Sequence, residues 1–165
     1  MTHDTHQHAA ADDPRAIPLP ALLLGAGGVL PFATLAVAAL LGLEWRYGFA
    51  PGSARTGLIC YGAVILSFLG GVRWGLALKH GAEHQTGLLV VSVLPSLAAW
   101  LALLLPRPHD LTLLIACYLA LAVADFAMVR RGHAPAWYAT LRLLLTAAVV
   151  LVLIVALAFL PFEPE

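Results

Sequence analysis

Five long apolar runs, divided by short polar stretches, organise this chain. They extend from Leu19 to Leu43, Ala54 to Leu78, Thr86 to Leu105, Leu111 to Val129 and Ala139 to Leu160. About 20 helical residues cross a hydrocarbon layer, and in lipid each spanning segment must satisfy its own backbone polar groups. The pattern therefore predicts five transmembrane helices. The connections carry helix-ending chemistry: "EWRYGFAPGSAR" holds a Pro-Gly turn, and "KHGAEHQTG" has Gly81 and Gly87. "PRPHD" offers Asp110 as a helix cap, and "RRGHAPAW" stops one helix and restarts the next at Pro135. The expected fold is an all-α integral membrane protein, a compact bundle of five transmembrane helices over residues 19–160. Residues 1–18 read as a disordered polar tail and residues 161–165 as a short acidic one.

Composition agrees with that class. Of 165 residues 61% are hydrophobic and 11% charged, against about 25% charged in a soluble domain. Formal net charge is zero and the basic residues are scattered, so no nucleic-acid footprint is present. The tail "MTHDTHQHAAADDPRAIP" is too acidic for a secretory signal or a mitochondrial transit peptide. Its histidines His3, His6 and His8 read as solvated rather than as a metal site, and no metal or cofactor is expected. Cys60 and Cys117, both inside apolar runs, read as small core residues. They are not expected to form a disulfide. Placing Arg73 level with Asp125 offsets the two thiols by about 7 Å.

The charges inside the runs matter most. With a rise of about 1.5 Å per residue, Arg73 lies roughly 7 Å, Asp125 roughly 6 Å and Arg142 roughly 5 Å below the same membrane face. An unpaired charge at mid-bilayer costs about 2.5–3.5 kcal/mol on insertion scales, less near the edge for long side chains that snorkel. Asp125 is too short to snorkel far. An intramembrane polar cluster is therefore expected, with Asp125 held between Arg73 and Arg142. The alternative has both arginines reaching lipid phosphates while Asp125 faces a watery vestibule.

Span two also carries small residues at every fourth position: Ala63, Ser67, Gly71 and Gly75. Such a stripe lets another helix approach closely, within the bundle or in a homodimer. Pro31 and Pro95 each free a carbonyl one turn earlier, and Ser92 and Ser96 are placed to satisfy such groups. "HGAEH" at His80 to His84 matches a zinc-protease pattern, but it falls in a short glycine-containing loop with no acid suited as third ligand. No catalytic residues are assigned, and enzyme activity is not expected. Trp45, Tyr47, Trp137 and Tyr138 fall at span ends, as interfacial aromatics do. Arg15, Lys79, Arg130 and Arg131 lie on the N-terminal side, against Arg46, Arg55 and Arg107 opposite. The positive-inside rule thus predicts a cytoplasmic N-terminus and a periplasmic C-terminus.

The segments "YGAVILSFLGGVRWGLAL", "SVLPSLAAWLALLLP" and "PAWYATLRLLLTAAVV" resemble the bacterial family called domain of unknown function 3429, which also includes the mitochondrial transmembrane protein 69. The resemblance covers roughly Leu19 to Leu160, with "GGVRWG" and the later "WY..LR..LT" as its specific parts. It implies a small multispan protein of the bacterial inner membrane and brings no established activity. The function expected is a non-enzymatic protein that accompanies or assembles other membrane proteins. The alternative is a small transporter or channel subunit with its polar site at Arg73, Asp125 and Arg142. Expected partners are the lipid bilayer, other membrane proteins or a second copy of the chain.

Overall fold

The computed structural model describes residues 16–78 and 82–160, with the side chains of 82–85 left aside. The polar tail through residue 15, with His3, His6 and His8, lies outside the described residues. So do Lys79, the acidic tail 161–165, and His80 and Gly81 of the "HGAEH" match, whose last three residues begin a helix rather than a loop.

Among the described residues six helices follow one another: α1 (Leu19–Leu40), α2 (Leu43–Arg46), α3 (Ser53–Ala77), α4 (Ala82–Leu104), α5 (His109–Arg130) and α6 (Ala136–Phe159). Among the described residues all regular structure is helical. Five of the helices are long and apolar enough to cross a membrane, the span within α4 being Thr86–Leu104. The protein is an all-α, five-span membrane protein.

The helices close a ring in which α1 packs on α3, α3 on α4, α4 on α5, α5 on α6 and α6 back on α1. Helix α3 also meets α5 across the middle. Phe32, Leu58, Leu66, Leu114, Tyr118 and Leu153 fill the interior and are essentially inaccessible. Phe32 sets its ring edgewise on Tyr61 and Tyr118 at 4.9 and 6.3 Å. The outer surface is apolar instead, with Leu24, Phe68, Val123 and Leu143 exposed. Water would penalise such a surface; hydrocarbon does not.

Left-handed glycines shape the first connection. Gly42 and Gly52 have φ of 60° and 78°, a left-handed conformation that glycine adopts without steric cost. Gly42 ends α1 three residues short of the expected Leu43 and starts the single turn of α2, which the sequence pattern did not predict. That turn buries Glu44, whose Oε1 accepts the Ala54 N–H at 2.7 Å and Oε2 the Gly52 N–H at 3.1 Å. The start of α3 is thereby capped by an acid eight to ten residues upstream, a favourable place for negative charge.

The small-residue stripe lies only partly inside the bundle. Ala63 is buried, but Ser67 is only half-buried, and Gly71 and Gly75 are exposed with open space where a Cβ would stand. Close approach uses Gly62 and Gly70. A Cβ on Gly70 would stand 2.6 Å from the Ser92 carbonyl oxygen of α4, and one on Gly62 3.2 Å from Leu114 of α5. Cys60 likewise faces outward rather than into the core, while Cys117 is half-buried, and both are free thiols. Helices α1 and α4 run on through Pro31 and Pro95. The Ser92 hydroxyl donates to the Leu89 carbonyl at 2.6 Å, not to the carbonyl one turn before Pro95.

Candidate functional site

Near the end of the bundle where α3 and α5 finish and α6 begins, three helices deliver one charge each. Arg73 lies about 6 Å from the end of α3, Asp125 about 7 Å from the end of α5 and Arg142 about 9 Å into α6. The structure brings all three together. Arg73 Nη1 donates to Asp125 Oδ1 at 2.7 Å, and Arg142 Nε donates to Asp125 Oδ2 at 2.8 Å. Asp125 is 1% exposed, and both arginines are buried. The carboxylate thus has one guanidinium on each oxygen, so neither arginine is free to reach lipid phosphate with the same atoms.

The cluster is not fully satisfied. Two guanidinium groups against one carboxylate leave a formal charge of +1. Arg73 Nε, Arg142 Nη2 and the Thr146 hydroxyl oxygen are buried with no hydrogen-bond partner. Buried polar groups are ordinarily paired, because an unmade hydrogen bond forfeits the solvation the group had in water.

A second buried pair, not anticipated from the sequence, lies at the opposite membrane face. Arg55 Nη2 reaches Asp110 Oδ1 and Oδ2 at 2.9 and 2.8 Å. Asp110 is therefore not the helix cap expected of it. The N-cap position of α5 is Pro108, and Asp110 sits in the first turn, accepting from the Leu111 N–H at 2.7 Å while it binds Arg55. An acid there also complements the positive end of the helix dipole. Arg55 and Asp110 each sit beside the start of a predicted span, so the depth reasoning used for Asp125 would have paired them. Helices α3 and α5, which run in the same direction, are joined by Arg–Asp pairs at both ends. Two tyrosines add bonds between helices: Tyr118 hydroxyl donates to the Gly62 carbonyl at 2.7 Å, and Tyr61 hydroxyl to the Gly28 carbonyl at 3.0 Å.

Chemically, the cluster closes Asp125 off. The cavity beside Arg73, lined also by Leu76, Ala77, Leu88, Met128 and His133, measures only about 10 Å³, at the lower limit for a single water. Among the described residues, His, Cys, Asp and Glu form no group able to hold a metal ion.

Residues 17–158 match the family model described as "Protein of unknown function (DUF3429)". Transmembrane protein 69 of Xenopus tropicalis is 37% identical over 142 residues, covering 83% of this chain and 53% of that protein. Transmembrane protein 69 of Mus musculus is 31% identical over 153 residues, covering 90% and 59%. The chain thus spans little more than half the length of these relatives. No solved structure matches it significantly.

Proposed function

This chain belongs to the DUF3429 family of unknown function, and from that premise we propose that it is a non-enzymatic membrane protein that accompanies or assembles other membrane proteins. The observation that carries this reading is the closure of Asp125. An ion or proton carrier needs an acid that water reaches from at least one side, whereas this one is 1% exposed and engaged on both oxygens. The other acids whose side chains are described, Glu44 and Asp110, are likewise engaged in capping and pairing. That leaves neither as a free general base.

We place the protein in the bacterial inner membrane with its N-terminus cytoplasmic. Arg130 is exposed on the N-terminal side, while Arg55 opposite is held in the bundle by Asp110. Removing Arg55 from the count of interfacial cations widens the asymmetry that the positive-inside rule uses. The partners are lipid, other membrane proteins or a second copy, and not nucleic acid.

Affinity purification from native membranes in polymer nanodiscs, with identification of co-purifying proteins, tests the proposal. Stoichiometric membrane-protein partners are expected. A chain that purifies alone and drives ion flux in proteoliposomes would replace this proposal with transport.

A further inference from the structure

A lateral cleft opens between α1, α3 and α6, with a volume of about 130 Å³. Gly25, Gly28, Phe32, Leu69 and Val149 form much of its wall, and Arg142 and Thr146 contribute the polar part. Leu24 and Phe68 at its rim are 78% and 64% exposed, so the cleft faces hydrocarbon rather than water. Both polar residues carry buried atoms that lack a partner, Arg142 Nη2 and the Thr146 hydroxyl oxygen.

We propose that this cleft binds a single-chain anionic amphiphile, a long-chain fatty acid, whose carboxylate accepts from Arg142 and Thr146 once their buried polar atoms turn toward it. Charge selects the head group. Arg73, Asp125 and Arg142 sum to +1, and among residues with described side chains the other carboxylates, Glu44 and Asp110, are tied to the opposite face. A net charge in a low-dielectric interior is costly, and a carboxylate from the ligand neutralises it where a neutral acceptor would not. Shape selects the tail. A volume of about 130 Å³ is below the range of about 300–1,000 Å³ typical of pockets for bulkier ligands. It is close to the roughly 150 Å³ of apolar cavities that take a small hydrocarbon. One alkyl segment fits, and a second chain does not. Depth agrees as well. Arg142 and Thr146 lie about 9 and 15 Å into α6, and Phe32 on α1 lies about 20 Å from the same face. The head therefore sits toward the Arg142 end and the chain runs toward mid-membrane, along the apolar wall.

Two variants separate the steric and polar parts without touching the ion cluster. A Cβ on Gly28 would have nothing nearer than 4.0 Å, so Gly28→Leu fills the cleft. Thr146→Val keeps the shape and removes the hydroxyl. Delipidated protein in detergent is photolabelled with a diazirine analogue of palmitic acid, and labelled peptides are mapped by mass spectrometry. Saturable labelling of α1 and α6 peptides around residues 24–32 and 142–149 is expected. Palmitate should compete at least about tenfold better than hexadecanol. Gly28→Leu should reduce labelling about tenfold, and Thr146→Val should weaken binding about three- to tenfold with normal melting behaviour. Equal competition by hexadecanol would overturn the proposal. So would labelling spread over all lipid-facing helices and unchanged in Gly28→Leu. Stronger competition by phosphatidic acid than by palmitate would overturn the single-chain assignment.

Discussion

Asp125 is the residue on which most of the buried charge depends, and its two neighbours are not equivalent to it. Removing the carboxylate leaves two buried cations facing each other, whereas removing Arg73 leaves Asp125 paired with Arg142 in a neutral arrangement. Loss of one partner from a buried pair costs about 3–5 kcal/mol, reduced here because arginines near the interface can snorkel. Asp125→Ala is therefore expected to lower folded yield and melting temperature in detergent strongly, and Arg73→Ala weakly. The exchanged pair, Asp at 73 with Arg at 125, should recover part of the loss. Size-exclusion of a fluorescent fusion, before and after heating, measures all three. A parent-like Asp125→Ala protein would mean that the cluster does not hold the helices together. The cluster was legible in the sequence because depth follows from residue counting, and because a short acid in lipid must find a cation nearby. Glu44 was not legible. Its role depends on a single helical turn that starts at the left-handed Gly42, and hydropathy does not register four residues.

The helices themselves were legible to within a few residues at each end, because length and apolarity are what the membrane demands. Their facing was not. Lipid tails and neighbouring helices are equally apolar, so a hydrophobic pattern does not say which side of a membrane helix meets protein. Span two carries one register of small residues, Ala63 to Gly75, whose later members Gly71 and Gly75 turn outward. Gly70 holds the close contact with α4. The two neighbouring glycines therefore make a sharp comparison. Gly70→Ala places a methyl 2.6 Å from a backbone oxygen, which is too close, so α3 and α4 must separate and the melting temperature should fall. Gly71→Ala meets open space, and should be neutral or raise stability by up to about 1 kcal/mol through helix propensity. If the two variants melt alike, the facing of α3 described above is wrong. Residues such as Cys60 show the same ambiguity: an apolar neighbourhood in sequence fits lipid as well as core.

At the scale of the molecule, an odd number of crossings puts the two ends of the bundle on opposite faces. Alkaline phosphatase fused after Glu165 should be active and a fusion after Arg131 inactive; the reverse would invert the orientation. The paired ion contacts between α3 and α5 have a mechanical consequence. Two parallel rods fastened at both ends can neither slide past one another nor twist apart without breaking a desolvated bond, so α3 and α5 form a single stiff strut. Helix α1 packs on α3 and α6 without an ion pair among the described residues, through the Tyr61 hydroxyl on Gly28 and apolar side chains. Breathing of the bundle should therefore concentrate in α1, swinging like a shutter over the cleft. Spin labels on lipid-facing positions of α3 and α5, such as Val64 and Val123, should give a narrow distance distribution. A label pair on Val64 and Leu30 of α1 should give a broader one, narrowing when palmitate is added; an equally broad α3–α5 distribution would mean that the two contacts do not brace the pair.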